Sequence, residues 1–147
     1  MYAPMQQIFS FNSPQDHYTA DAIIITCYDN RIFNVRKAFV RDHLKLERPD
    51  VVEVAGGIKN ITQGNDAERA LMLEQIRIAM TLHHAKRVIL MPHRDCGAYG
   101  GSKQFANAEA EYEFHAGEMA KAMEIIKKAF PDIAVEGYLL DFDGVHA

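Results

Sequence analysis

Two short runs of consecutive apolar residues constrain the fold of this chain more than any other feature of its sequence. Residues 22–25 read AIII and residues 88–91 read VILM. A run of this length, without alternating polar residues, is typical of a strand that is buried on both faces, as strands of parallel sheets are. Each run is far shorter than the ~20 residues that span a bilayer, so the sequence predicts no transmembrane helix and no membrane partner.

Helical patterns separate and follow these apolar runs. Three segments carry apolar residues at every third or fourth position, which indicates amphipathic helices, and further short strands complete the pattern. The predicted helices are residues 34–46, 66–84 and 108–130, and the predicted strands are residues 22–26, 51–54, 87–91 and 134–140. Alternation of strands and helices predicts an α/β fold, in which helices flank a mostly parallel central sheet with right-handed crossovers.

The spacing of apolar residues also predicts which face of each long helix is buried. Asn65 or Asp66 is expected to cap the helix over 66–84. The predicted buried stripe of that helix contains Ala67, Leu71, Glu74 or Gln75, Ile78 and Leu82. The predicted buried stripe of the helix over 108–130 contains Tyr112, Ala116, Met119, Met123, Ile126 and Phe130. Near the start of this last helix lie Glu109, Glu111 and Glu113, where the helix dipole favours acidic residues.

The length and charge of the chain limit its organisation and its partners. Its 147 residues fit one domain, since domains commonly contain roughly 100–200 residues, and we expect a single domain over residues 1–147. We expect residues 1–13 to form an N-terminal arm that is too apolar to lie free in water, which favours packing on a partner subunit, with disorder as the alternative. The 16 basic and 20 acidic residues give a net charge of −4 without a basic block, so we expect no nucleic-acid partner.

The N-terminal sequence lacks the basic segment and continuous apolar stretch of a secretory signal, which predicts a cytoplasmic location. In that setting the only two cysteines, Cys27 and Cys96, are expected to be reduced. Catalytic or metal-bound thiols are then more consistent with the sequence than a disulfide.

Reactive side chains follow the two apolar runs directly. Cys27, Asp29 and Arg31 come after the first run, and His93 and Cys96 come after the second. Because ligand crevices of open parallel sheets lie at the carboxyl ends of their strands, we expect these side chains to converge. Two thiolates and an imidazole suit Zn²⁺, and a set of three protein ligands leaves the fourth position for water or substrate, as in catalytic sites.

Both segments together resemble the signature of the β-class carbonic anhydrases, Cys-x-Asp-x-Arg followed by His-x-x-Cys-Gly. Residues 27–31 (CYDNR) match its first half and residues 93–97 (HRDCG) match its second half. Residues 54–58 (VAGGI) are similar to the Ala-Gly turn that follows the second strand of that family, and residues 136–141 (EGYLLD) are similar to its closing strand.

This resemblance implies that Cys27, His93 and Cys96 hold one zinc ion per chain and that Asp29 and Arg31 form a catalytic dyad. It also implies a sheet of order 2-1-3-4, with a possible additional edge strand. The implied assembly is a homodimer or a larger even-numbered oligomer with active sites near the subunit interface.

The residue chemistry suits a lyase that hydrates CO2 reversibly to bicarbonate. Zinc lowers the pKa of bound water toward ~7, and Asp29 could orient the resulting hydroxide while Arg31 holds Asp29. If the Asp29–Arg31 pair breaks, Asp29 could itself take the fourth coordination position. The glycines Gly56, Gly57 and Gly97 are candidate substrate-binding residues through their backbone N–H groups, with plain turn geometry as the alternative.

The sequence also departs from the family pattern and leaves other functions open. Glu53 and Val54 stand where many members carry a basic residue and Asn, and Arg94 stands where a small residue is common. Because the chain has no Trp and carries Glu53 at the expected Arg position, we expect no inhibitory bicarbonate pocket. The alternatives are hydrolysis of COS or CS2 on the same zinc, a catalytically silent zinc-binding homologue, or a thiol redox protein that uses Cys27 and Cys96.

Overall fold

Four parallel strands form the central sheet of the computed structural model, which describes residues 1–147. The strands are β1 (Ile23–Thr26), β2 (Asp50–Glu53), β3 (Arg87–Met91) and β4 (Ala134–Gly137). Their order is β2-β1-β3-β4, with every neighbouring pair parallel. The predicted α/β fold and the predicted sheet order are therefore confirmed.

The two central strands are buried on both faces, as their apolar runs predict. Side chains of a strand point alternately to opposite faces, so neighbouring residues of β1 enter different cores. Ile23 and Ile25 join one hydrophobic cluster, and Ile24 joins the cluster on the opposite face. The same alternation places Leu90 of β3 in the first cluster and Ile89 in the second.

Helices cover both faces of the sheet. They are α1 (Phe33–Ala38), α2 (Lys59–Thr62), α3 (Asp66–Leu82) and α4 (Ala108–Ala129). A 3₁₀ turn (Asn30–Ile32) precedes α1 and a π-helical turn (Phe39–His43) follows it, so the helical segment starts and ends earlier than the predicted 34–46. No helix of the molecule has the length and apolar character that crossing a bilayer requires.

The buried stripe of α3 differs from the prediction by one position. Asn65 caps α3 as expected, in a capping box with Glu68. However, Leu71 and Leu82 are 59% and 67% exposed, and the helix does not bury them. The buried residues are Met72, Ile76 and Ala79. Apolar residues lie on two adjacent rows of this helix, and hydropathy alone does not tell which row is buried. Contact with the sheet decides it.

The buried stripe of α4 is displaced by one position in the opposite direction. Its buried residues are Glu111, His115, Glu118, Ala122 and Ile126, and only Ile126 belongs to the predicted stripe. The predicted Met119 and Met123 are partly buried against the core, and Ala116 is exposed. The first half of α4 buries polar side chains. A prediction from the spacing of apolar residues does not detect them, because it considers only apolar residues.

The predicted strand over 134–140 is interrupted at the end of β4. After Gly137 the chain runs beside Pro92, whose missing N–H cannot continue the ladder of hydrogen bonds. A short β5 (Leu139–Leu140) then pairs antiparallel with β6 (Val145–His146) in a separate two-stranded sheet. The additional strands therefore form their own two-stranded sheet, and Leu140 also makes an isolated parallel bridge to His93 beyond the end of β3.

The N-terminal segment precedes the sheet and has no regular secondary structure through residue 20. Its large apolar side chains are all exposed; they are Met1, Tyr2, Met5, Ile8, Phe9 and Phe11. Solvation of so many large apolar groups is unfavourable, which is the physical basis for expecting a partner surface over this arm.

Candidate metal centre

Cys27, His93 and Cys96 meet at one edge of the sheet because β1 and β3 are parallel neighbours that end in register, with Thr26 opposite Met91. Cys27 immediately follows β1, and the loop after β3 supplies the other two side chains. Their ligand atoms lie within 4.8 Å of one another, and all three residues are buried. This is the convergence that the sequence predicts.

The imidazole of His93 presents a free lone pair to this cluster. Its Nδ1 atom lies 2.6 Å from the backbone carbonyl oxygen of Arg94, which can only accept a hydrogen bond, so Nδ1 carries the proton. Nε2 is then the unprotonated nitrogen, and it is buried without a hydrogen-bond partner. A metal ion would satisfy this atom, and the second ring nitrogen of a metal-bound His typically donates to such an oxygen.

The pKa values of the two thiols in the cluster shift in opposite directions. A hydrogen bond from Cys96 and the backbone N–H groups of Asp29 and Gly56 lower the pKa of the Cys27 thiol. The hydrogen bond to Cys27 and burial raise the pKa of the Cys96 thiol. A nearby dication would allow both thiols to ionise, and the set of two thiolates and one imidazole fits Zn²⁺.

Asp29 and Arg31 form a tight pair beside the cluster. Asp29 caps the 3₁₀ turn by accepting the Arg31 backbone N–H at 2.9 Å, and its Oδ2 accepts Arg31 Nη2 at 2.7 Å. The hydrogen bonds from Arg31 lower the pKa of the Asp29 carboxyl to about 2. Asp29 Oδ2 lies 3.9 Å from His93 Nε2, so an ionised carboxylate borders the candidate ligands.

A cavity of about 620 Å³ opens in front of this pair. No apolar side chain lines it. The lining residues are Asp29, Arg31, Asp95, Gly97, Gly100, Gly101, Lys103 and Gln104. Small polar molecules therefore reach the Asp29 carboxylate from solvent through a polar opening.

The three predicted substrate-binding glycines occupy different places. Gly97 lines the cavity, whereas Gly56 and Gly57 lie in the turn after β2 and do not. Gly57 has a φ of +49°, and a Cβ there would lie 3.0 Å from the backbone carbon of Thr26. This close approach brings the Gly56 N–H to the Cys27 sulfur. Substrate binding by these glycines stays a prediction.

Sequence reasoning missed Glu111, the buried carboxylate that anchors the second loop. Glu111 projects from α4 and is 1% exposed. It accepts the Asp95 backbone N–H at 2.7 Å, the Ser102 hydroxyl at 2.8 Å and Arg94 Nε at 3.0 Å. An acidic residue in the first turn of a helix is favourable even when it is exposed. The sequence therefore does not distinguish a buried carboxylate that anchors a loop from an exposed one.

The residues that depart from the family pattern have partners elsewhere. Arg94 binds Glu111 and Asp141 and does not line the cavity. Glu53 accepts a 2.5 Å hydrogen bond from the buried Arg36. Both side chains are therefore engaged in ion pairs outside the opening of the candidate site.

Comparison with known families and sequences gives consistent matches. A family profile described as "Putative carbonic anhydrase" matches residues 18–145. An uncharacterized protein from Rickettsia conorii is 29% identical over 130 residues, which cover 86% of this chain and 70% of that protein. An uncharacterized protein from Rickettsia bellii is 30% identical over 131 residues, which cover 86% of this chain and 79% of that protein.

Solved structures with this architecture include two β-carbonic anhydrases and a carbon disulfide hydrolase. β-Carbonic anhydrase isoform I from Trichomonas vaginalis aligns with a TM-score of 0.62 at 16% identity, covering 93% of this chain and 86% of its own. CafA from Aspergillus fumigatus aligns with a TM-score of 0.58 at 15% identity, covering 88% and 75%. The apo carbon disulfide hydrolase aligns with a TM-score of 0.55 at 14% identity, covering 88% and 79%. At these identities the likeness establishes the fold.

Proposed function

This chain belongs to the carbonic anhydrase family whose profile matches residues 18–145, and we propose that it hydrates CO2 reversibly to bicarbonate at a zinc ion. The observation that carries the proposal is the meeting of three buried donor atoms with an ionised carboxylate at one edge of the sheet. Cys27 Sγ, His93 Nε2 and Cys96 Sγ would hold the metal. When bound, zinc lowers the pKa of a water molecule toward ~7 and supplies a nucleophile at neutral pH.

Asp29 orients the reacting water in this proposal. Its pKa of about 2 keeps the carboxylate ionised at neutral pH, where it only accepts hydrogen bonds. A water molecule beside Asp29 therefore donates a hydrogen to it, which turns an oxygen lone pair toward the substrate. A pKa so far below neutral makes Asp29 a poor general base, so its contribution is orientation. Arg31 keeps the carboxylate charged and in place.

The polar lining of the cavity favours CO2 over the sulfur-containing substrates. COS and CS2 carry larger, less polarised C=S bonds in place of C=O bonds, and no apolar side chain lines the opening to receive a sulfur atom. Bicarbonate is an anion, and Lys103 places a cationic group in the same wall. Hydrolysis of COS or CS2 on the same site is therefore the second candidate.

Stopped-flow CO2 hydration by the zinc-loaded protein, measured over roughly pH 6.5–9, tests the proposal. We expect activity that rises with pH and is lost in Asp29→Ala and Cys96→Ser. Asp132→Asn changes an exposed carboxylate with no hydrogen-bond partner and should leave the rate unchanged. Inactivity at every pH, with stoichiometric zinc, would exclude CO2 hydration and favour COS or CS2 hydrolysis or a silent zinc site.

We also propose a homodimer or a larger even-numbered oligomer. The exposed apolar side chains of residues 1–13 support it, because burying them against a second copy removes a large apolar surface from water. An isologous dimer would bury two such arms at once.

We further propose a cytoplasmic location. The candidate ligand set requires both Cys27 and Cys96 as thiolates, and the two cysteines are free in the structure. A reducing compartment keeps such thiols available to a metal, whereas an oxidising one favours their conversion to disulfides.

A further inference from the structure

Arg31 connects the two loops that carry the candidate ligands. On one side its guanidinium binds Asp29 of the first loop through Nε and Nη2. On the other side, Nη1 donates to Asp95 Oδ2 at 3.0 Å and Nη2 donates to the Asp95 backbone oxygen at 3.0 Å. The ring of Phe142 covers the guanidinium at 5.1 Å. Arg31 therefore has partners in both loops, Asp29 in the first and Asp95 in the second.

Asp95 is itself fixed in an unusual conformation. Its φ of +54° lies in the left-handed region, which Asp tolerates better than most residues other than Gly. The Asp95 backbone N–H donates to the buried Glu111 carboxylate. Asp95 Oδ1 accepts a hydrogen bond from the Ser102 backbone N–H at 2.8 Å. These contacts leave Oδ2 directed at Arg31. The chain of contacts thus runs from α4 through Asp95 and Arg31 to Asp29.

We propose that Asp95 is a positioning residue that, through Arg31, keeps the Asp29 carboxylate off the metal and available to water. The proposal rests on the proposed zinc site. Carboxylate oxygens ligate zinc, and Asp29 Oδ2 lies only 3.9 Å from His93 Nε2, so a small movement would make Asp29 a fourth ligand. Without Asp95 Oδ2, Arg31 loses its charged partner in the second loop and can follow Asp29 toward the metal.

Cobalt(II) substitution with thiocyanate as the probe tests the proposal without measuring catalysis. Thiocyanate binds an open coordination position and changes the visible absorption of cobalt, whereas a position filled by Asp29 gives no response. The substitution Asp95→Gly removes the carboxylate and keeps the backbone oxygen that accepts from Arg31. Glycine adopts a φ of +54° without strain. Asp95→Asn retains an oxygen for Ser102 and removes the charge that faces Arg31. Asp132→Asn is the matched control.

We expect the parent protein and Asp132→Asn to bind thiocyanate with equal affinity. Asp95→Gly should bind it at least about tenfold more weakly, the scale typical of lost outer-shell partners, with Asp95→Asn intermediate. The double variant Asp29→Ala/Asp95→Gly should recover the affinity of Asp29→Ala alone, because no carboxylate is left to compete. Cobalt stoichiometry, measured in every variant, shows that each site is filled.

Three results would overturn the proposal. Parent-like thiocyanate affinity in both Asp95 variants would show that Asp95 does not position Asp29. If the double variant also gives no thiocyanate response, or if the Asp95 variants do not bind cobalt, Asp95 supports the fold of the site and not the position of Asp29. A parent protein that gives no response would show that Asp29 is not held off the metal. Failure of the proposed function is read separately, as inactivity of the zinc-loaded parent toward CO2.

Discussion

Glu111 Oε1 accepts the backbone N–H of Asp95 at 2.7 Å, and this contact ties helix α4 to the loop that carries His93 and Cys96. Burial favours the neutral form of Glu111, but hydrogen bonds from Asp95, Ser102 and Arg94 outweigh it and lower the pKa of the carboxyl. Glu111 therefore stays ionised in the interior. A buried charge with several donors specifies one loop conformation, since few other arrangements satisfy all of its partners.

Replacing Glu111 should destabilise the protein. In Glu111→Ala the Asp95 N–H and the Arg94 guanidinium lose a buried acceptor, and each such loss typically costs about 1–3 kcal/mol. We expect the free energy of unfolding, measured by urea titration, to fall by about 2–4 kcal/mol. Glu111→Gln retains an acceptor oxygen and should cost less. Glu113→Ala, at an exposed position of the same helix, is the control; equal losses in Glu111→Ala and Glu113→Ala would contradict the anchoring role.

Zinc should stabilise the folded chain through the three candidate ligands. A ligand that binds only the folded state adds about 2.7 kcal/mol when its free concentration is 100 times its Kd. We expect urea titrations in zinc buffers to show this gain for the parent and to show little of it for His93→Ala or Cys96→Ser. Both cysteines should also react more slowly with a thiol reagent when zinc is present. A gain that persists in both variants would place the zinc elsewhere.

The sequence predicted the convergence of the candidate ligands better than the burial of the helices around them. Cys27 and His93 each follow an apolar run that is typical of a central strand, so their convergence could be inferred from topology. The burial of Glu111, His115 and Glu118 could not be inferred, because polar side chains carry no hydropathy signal. Their burial depends on partners from other segments, such as Thr62 and Tyr99 for Glu118.

His115 should make stability depend on pH. Burial lowers the pKa of its imidazole from 6.5 to about 4, and neither ring nitrogen has a hydrogen-bond partner. Between these two values the unfolded chain binds more protons than the folded chain at this residue, so the free energy of unfolding decreases as pH falls from about 6.5 to 4.

The variant His115→Phe tests this dependence. Its neighbours include the rings of Tyr99, Phe105 and Phe114, so an aromatic replacement keeps an apolar environment and removes two unsatisfied nitrogens. In urea titrations we expect a smaller loss of stability between pH 6.5 and pH 4 than in the parent. The exposed His17 is the control, and His17→Gln should retain the parent dependence. An unchanged slope in His115→Phe would assign the pH dependence to other groups.

Removal of residues 1–13 tests the proposed assembly. The arm exposes six large apolar side chains and contributes no strand to the central sheet, so its loss should leave the fold intact. If the arm packs on a second copy, the truncated protein should associate more weakly and dissociate at a higher protein concentration than the full chain. Gel filtration with light scattering over a range of concentrations measures this. Replacing Ile8 and Phe9 with Ser in the full chain should weaken association in the same direction, because it removes apolar contact without shortening the arm. A full chain that is monomeric at every concentration, or a truncated chain that associates as tightly as the full one, would show that the arm is not the surface that joins subunits.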